Sequence, residues 1–200
     1  MGYAMPGQRL LLSTCHIHWD PKDSDIKMMQ TMMLTNELTR IATQYKSDLN
    51  PSGLPLLLLG DFNSLPSSGV EQFISSGAVS YKDEEFRGAD YVQSLRKLDF
   101  LKETEEGVFS HKFKLKSAYN SSILPYSNYT FDFTGLIDHI FYSEDSMRPL
   151  GLLGAVDLDW ITSNEIKGFP HVHVPSDHLP LMLQIELKPT SSLRTGCAHP

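Results

Sequence analysis

Asp61 and Asn63 stand two residues apart where the apolar run "LPLLLLGDF", residues 54–62, meets polar chain. A continuous apolar run of this length reads as a strand covered on both faces, and on extended chain positions two apart point the same way. A carboxylate can hold a hard cation such as Mg²⁺ or move a proton. A neutral amide can donate hydrogen bonds to a phosphoryl oxygen without repelling it. Together they suit phosphate chemistry, although Asp-x-Asn alone is equally a turn that caps a strand. Two further motifs reinforce the first. "GLIDHIFYS" puts Asp138 inside an apolar strand, and "VPSDHLPLMLQIEL" puts Asp177 and His178 just before another. A buried aspartate needs a partner, and His178 can be that partner. Held by a carboxylate, an imidazole is oriented and stabilised as a cation, able to neutralise charge on a phosphorane-like transition state. Asp177 is then placed to reach a metal. Each motif alone has a plain structural explanation, but the three in this order are far more specific than any one.

A fourth motif, "TCHIHWDP" at residues 14–21, sets His16 and His18 two residues apart at the end of an apolar run. On extended chain they share a face, and the pair can hold a metal, bind a phosphate or sit in a core. One version joins them to His171, His173 and His178 as zinc ligands of a metal-dependent amidohydrolase. Against that version, hydrolase barrels need a longer repeated strand-helix pattern than this chain shows.

The elements that must carry these groups follow from periodicity. Residues 9–17 read as a strand ending in a proline-containing loop. Asp23 or Ser24 caps a helix running to about Lys46, with Ile26, Met29, Met33, Leu38, Ile41 and Tyr45 at helical spacing, the methionines as core. "NPSG" is a turn, 54–62 a buried strand, and 68–75 a short helix. From there to about Gly107 the chain is charged and weakly periodic. "SHKFKLKSAY" then alternates Lys112, Lys114 and Lys116 against Phe113 and Leu115, so a strand puts three ammonium groups on one face. They form a solvated edge that resists aggregation or, less simply, a track for RNA. "LIDHIFYS" and "LMLQIEL" read as further strands. The alternation of strand, helix and strand predicts layered α/β architecture.

The chain of 200 residues carries a net charge of −7, which argues against nucleic-acid binding through bulk charge while leaving room for a metal ion or local lysines to hold a phosphate chain. No apolar run approaches the roughly 18 residues needed to span a bilayer, and the start resembles no signal peptide, so no membrane partner and a cytoplasmic, secondarily nuclear, location are expected. The two cysteines, Cys15 and Cys197, are expected to be free thiols.

"GDFNS", "IDHIFYS" and "PSDHLPL", in that order, resemble the endonuclease/exonuclease/phosphatase superfamily, the Mg²⁺-dependent phosphodiesterases related to deoxyribonuclease I. "HIHWDPKDSDIKMMQTMM", "KSAYNSSILPYSNYTFDFTGLIDHIFYS" and "HVHVPSDH" resemble more closely its carbon-catabolite-repressor-type poly(A) deadenylases, over roughly residues 10–189. The resemblance implies a four-layer-type β-sandwich flanked by helices, of class α/β (α+β), of which this chain holds mainly the C-terminal half. Residues 9–189 form a partial nuclease domain between a loose segment, 1–8, and a loose tail, 190–200. It implies Mg²⁺ as cofactor, held by Asp61 and Asp177, and a catalytic set of Asp61, Asn63, Asp138, Asp177 and His178. Asp61 serves as proton donor or acceptor, Asn63 contacts the scissile phosphate, and Asp138 orients His178. It also implies substrate contacts from His16, Pro21, Asn63, Asn128 and Phe133, with an adenine against Pro21 and Phe133. On this reading His16 donates to a phosphate, His18 is structural and Trp19 packs. The partners implied are poly(A) RNA and other subunits of the deadenylation complex. The reaction implied is 3′-exonucleolytic hydrolysis releasing 5′-AMP. The family's N-terminal half, with the glutamate that holds Mg²⁺, has no counterpart here, so the expectation is either a fragment or a truncated form with weakened activity, able at least to bind complex partners.

Overall fold

In the central sheet β1 (Leu11–His16) pairs in parallel with β2 (Leu56–Asp61), which pairs antiparallel with β9 (Asp138–Ser143), which pairs antiparallel with β6 (Leu115–Ser117). The computed structural model describes residues 9–46 and 53–188, so Cys197, the segment 1–8 and the tail 190–200 lie outside the described residues. A parallel pair needs a long crossover, supplied here by α1 (Ser24–Gln44). Leu56 and Leu58 on β2 and Phe141 on β9 face a buried cluster with Phe62, Val70, Ile74 and Leu38. Leu57, Leu59, Ile140 and Tyr142 face the opposite way, toward the antiparallel pair of β10 (Met147–Leu152) and β11 (Leu183–Leu187). The unbroken apolar reading of both strands follows, because each alternate face has something to pack against.

α1 differs from its expected phase. Its buried face carries Lys27, Met28, Thr31, Met32, Thr35, Leu38, Thr39 and Ala42. Ile26, Met33 and Tyr45 are exposed. Two of the three threonines on that face bond back to the helix: Thr31 Oγ1 donates to Lys27 O at 2.8 Å and Thr35 Oγ1 to Met32 O at 3.0 Å, whereas the buried Thr39 Oγ1 has no hydrogen-bond partner among the described residues. α2 (Gly69–Ser76) starts at Ser68, whose hydroxyl accepts from Glu71 N, and ends at Gly77 in the left-handed conformation, φ 83°.

The stretch without a periodic signal holds a three-stranded sheet of β3 (Ala78–Ser80), β5 (Val108–Ser110) and β4 (Lys102–Glu105), with the short helix α3 (Val92–Leu95). Phe86, Leu95 and Phe109 from this region bury against Met28 and Met32 of α1 and Phe73 of α2. The strand expected over 110–119 is only Leu115–Ser117. Lys112, Lys114 and Lys116 are all exposed, but Lys114 pairs with Asp145 at 3.2 Å and Lys116 with Glu144 at 3.5 Å. Lys112 Nζ hydrogen-bonds Thr43 Oγ1. With β6 at the sheet edge, the stripe is a solvated margin in which two of the three lysines are paired with acids. β7 (Asn128–Tyr129), β8 (Thr134–Gly135) and α4 (Leu158–Ser163) complete the described elements. No described helix is long and apolar enough to cross a membrane.

Candidate active site

Strand register gathers three of the polar groups without help from any loop. His16 of β1 lies opposite Asp61 of β2, and Asp61 lies opposite Asp138 of β9, so the three occupy one row across the sheet. Gly60 allows that row to close: a Cβ there would meet Cys15 O at 2.0 Å, and its φ of 142° strains any L side chain. His16 Nε2 lies 3.5 Å from Asp61 Oδ2.

A second chain segment delivers His178. Asn128 bridges His178, Tyr129 N donates to Asp177 O at 3.1 Å, and Leu179 N donates to Ser127 O at 2.6 Å. Tyr126, Ile161, Ile166, Phe169 and Leu179 pack beneath as a cluster that holds this segment. His178 Nδ1 then donates to Asp138 Oδ2 at 2.7 Å, leaving Nε2 3.9 Å from Asp61 Oδ2. Ser127 Oγ accepts from the backbone N–H groups of Ile137 and Asp138 and donates its own proton to Asp138 Oδ2 at 2.7 Å. Asp138 is therefore satisfied twice over and orients the imidazole. Ser127 was not anticipated from sequence, because a lone serine in a loop carries no signal.

Asn63 reaches the site by a turn and not by strand alternation. β2 ends at Asp61, and Asn63 sits at φ 47°. Asp61 Oδ1 accepts from Asn63 N at 2.8 Å, and Asn63 Nδ2 donates to Ile17 O at 2.9 Å. The turn and the functional readings of Asp-x-Asn thus coincide. The fourth motif resolves differently. His18 Nε2 hydrogen-bonds Asp23 Oδ2 at 3.0 Å and His18 N donates to Gln30 Oε1 at 2.9 Å, so His18 is structural. His171 and His173 pack against Trp160. The zinc grouping of His16, His18, His171, His173 and His178 does not assemble. Among the described residues, the cluster able to share an ion is Asp61, Asp138 and His178, whose ligand atoms lie within 4.8 Å of one another.

These groups open into one cavity of about 640 Å³, whose lining includes His16, Asp61, Asn63, Asn128, Asp177 and His178 with Pro21 and Phe133. Every residue expected at the site is there except Asp138, which stands behind His178. Asn128 is buried, and its Nδ2 donates to Asp177 Oδ2 at 3.2 Å. Trp19 corrects the expectation that it packs: it is 67% exposed and lines the same cavity.

Burial pushes Asp61 above the ordinary carboxylate value, and the charge of Asp138 adds to this against the Asn63 N–H bond and the two histidines. Asp61 is thereby a stronger proton acceptor. Burial pulls His178 down, but its hydrogen bond to Asp138 and the charges of Asp138, Asp61 and Asp177 outweigh that and leave it above the usual imidazole value. Crowded carboxylates whose charge is only partly answered by histidine suit a hard divalent cation. Asp138 Oδ2 already accepts two bonds, Asp61 Oδ1 accepts from Asn63 N and Asp177 Oδ2 accepts from Asn128, so an ion would meet the remaining oxygens of these carboxylates.

A sequence profile described as the endonuclease/exonuclease/phosphatase family matches residues 33–178. The chain is 41% identical over 191 residues to CCR4-NOT transcription complex subunit 6-like of Danio rerio, an alignment covering 91% of this chain and 34% of that protein. It is 39% identical over 199 residues to the CCR4-Not complex 3′-5′-exoribonuclease subunit Ccr4 of Schizosaccharomyces pombe, covering 91% of this chain and 27% of that one. The chain thus spans about a third or less of the length of these curated relatives. Among solved structures it superposes on ANGEL2, a 2′,3′-cyclic phosphatase, in complex with adenosine-2′,3′-vanadate. That match has a TM-score of 0.68 at 24% identity, over 88% of this chain and 56% of that one. The human Nocturnin catalytic domain with bound sulfate anion gives 0.55 at 18%, over 92% and 49%. The two solved structures establish the shared α/β fold.

Proposed function

Because the chain belongs to the endonuclease/exonuclease/phosphatase family, we propose that it hydrolyses the phosphodiester bonds of poly(A) RNA from the 3′ end, releasing 5′-AMP, with Mg²⁺ as cofactor. The observation that carries this reading is the row His16–Asp61–Asp138, with His178 and Asn63 turned into the same cavity between flat walls. The names of the relatives support the exonucleolytic, 3′-to-5′ direction. They also support partnership with other subunits of the deadenylation complex. A cytoplasmic and secondarily nuclear location is part of the same proposal.

In the reaction a water oxygen bonds to phosphorus in line with the departing O3′. Asp61, its proton affinity raised, takes the water proton. His178, whose protonated form Asp138 favours, faces the growing negative charge through Nε2, and the Asn63 amide donates to a phosphoryl oxygen. The phosphorus–O3′ bond breaks, and the O3′ takes up a proton. A divalent cation held by Asp61 and Asp177 would supply Lewis-acid stabilisation of the phosphoryl oxygens. Pro21, Phe133 and Trp19 offer apolar faces to bases, and His16, exposed over most of its surface, can donate to a phosphate.

The test is release of 5′-AMP from end-labelled oligo(A) with Mg²⁺, against oligo(U), with Asp61→Ala as control. Wild-type chain should prefer oligo(A), and Asp61→Ala should lose about 10²–10⁴-fold in rate. Background release by both would instead assign the chain a non-catalytic role beside complex partners.

A further inference from the structure

Lys27 is a charged residue on the buried face of α1, 7% exposed, between the methionine cluster and the cavity. Burying an ammonium costs several kcal/mol unless its donors are satisfied, so a lysine held there has work that a methionine would not do. Its Nζ donates to the backbone oxygen of Asn63 at 2.7 Å. That contact crosses 36 residues and joins the crossover helix to the turn that ends β2. Asn63 is held on every side: its N–H by Asp61 Oδ1, its amide by Ile17 O, its carbonyl by Lys27. Its backbone is in the left-handed region, φ 47°, which asparagine enters more readily than other L residues but which still has to be held against extended backbone for the side chain to keep one direction. Lys27 is also the one permanent cation among the described residues lining a cavity that holds Asp61, Asp177 and Glu85.

We propose that Lys27 is a positioning residue of this site: its buried ammonium, bonded to the Asn63 carbonyl, keeps Asn63 left-handed and so aims the Asn63 amide at the scissile phosphate. The proposal rests on the phosphodiesterase reading for its consequence but not for its geometry. Without the ammonium the carbonyl loses its donor, the turn relaxes toward extended backbone, and the amide swings off the phosphate. Arginine, longer and planar, keeps a donor near the carbonyl and restores part of the arrangement.

The experiment uses the full chain with Lys27→Met, Lys27→Arg, Asn63→Ala and the Lys27→Met/Asn63→Ala pair. Backbone chemical shifts of Asn63 report its conformation independently of activity. Lys27→Met should move them out of the left-handed range, and Lys27→Arg should return them part of the way. With oligo(A), kcat should fall about 10–100-fold in Lys27→Met while KM changes less than threefold. In the Asn63→Ala background the same substitution should cost less than threefold, because the residue it acts through is gone. Unchanged Asn63 shifts in Lys27→Met overturn the proposal. So does an equal loss of kcat in both backgrounds, which would mark Lys27 as acting on fold or substrate directly. If the wild-type chain releases no AMP, the phosphodiesterase reading fails, and the shift measurements still decide the role of Lys27.

Discussion

Asp61 stands between two imidazoles and beside a second carboxylate, and each neighbour does something different to it. His16 offers an exposed ring at 3.5 Å, while His178 is oriented by Asp138 and presents Nε2 from 3.9 Å. The division of labour among like groups comes from their partners: Asp138 Oδ2 accepts from Ser127 and His178 and so orients the imidazole, whereas Asp61 turns its Oδ2 toward both histidines. Trp19 shows the same dependence on surroundings, since its neighbour His18 is tied to Asp23 and Gln30 and the indole is left in the cavity. In an Asp61→Ala background that binds without cleaving, Trp19→Ala and Phe133→Ala should each weaken oligo(A) binding by about 1–3 kcal/mol, as loss of one base-stacking surface does. Equilibrium titration with fluorescent oligo(A) measures this. An affinity unchanged by both substitutions would remove the stacking walls from the reading.

Among the elements, β2 was legible as an unbroken apolar run ending in acid, and β9 as a run of large apolar residues that opens on Asp138. α1 was legible as a helix but not in its phase, because Thr31, Thr35 and Thr39 read as polar while their buried side chains face the core. Lys27 escaped attention for the same reason: it lies four residues before Thr31 on that stripe. The sheet of β3, β5 and β4 was invisible, its strands three or four residues long and β4 exposed throughout. Site residues delivered by strand ends were found. Ser127 and Lys27, whose roles rest on hydrogen bonds to Asp138 and to the Asn63 carbonyl and on no sequence motif, were not. His111, beside β5, carries a consequence for acid stability. Its Nε2 donates to Phe73 O at 3.1 Å and its Nδ1 accepts from Phe113 N at 3.2 Å, so only the neutral ring satisfies both. Burial pushes its pKa down to about 4 from 6.5. The unfolded chain therefore binds this proton more readily. The stabilisation is complete above about pH 6.5 and is lost as pH falls toward 4, by about 3 kcal/mol at most. Calorimetric melting between pH 7 and 4 should show a steeper acid decline in wild type than in His111→Gln.

For the molecule as a whole, a net charge of −7 and a cavity rich in carboxylates mean that binding a polyanion depends on a cation at the site more than on the surface. An ion that binds only the folded state stabilises it by mass action, so at about 100 times its dissociation constant Mg²⁺ should add about 2.7 kcal/mol. For a chain of this size that is a rise of roughly 5–10 °C in Tm. Asp61→Ala should melt at the same temperature with Mg²⁺ or with chelator, and a full Mg²⁺ response in that variant would place the ion elsewhere. The parallel pairing of β1 with β2 has a temporal consequence as well. His16 and Asp61 become neighbours only after the crossover of residues 17–55 has closed, and Asp138 joins the row from farther along the chain. Contacts of such sequence separation form late in folding. A half-folded chain therefore lacks the row of His16, Asp61 and Asp138, and whatever chemistry the site performs waits for the sheet to be complete.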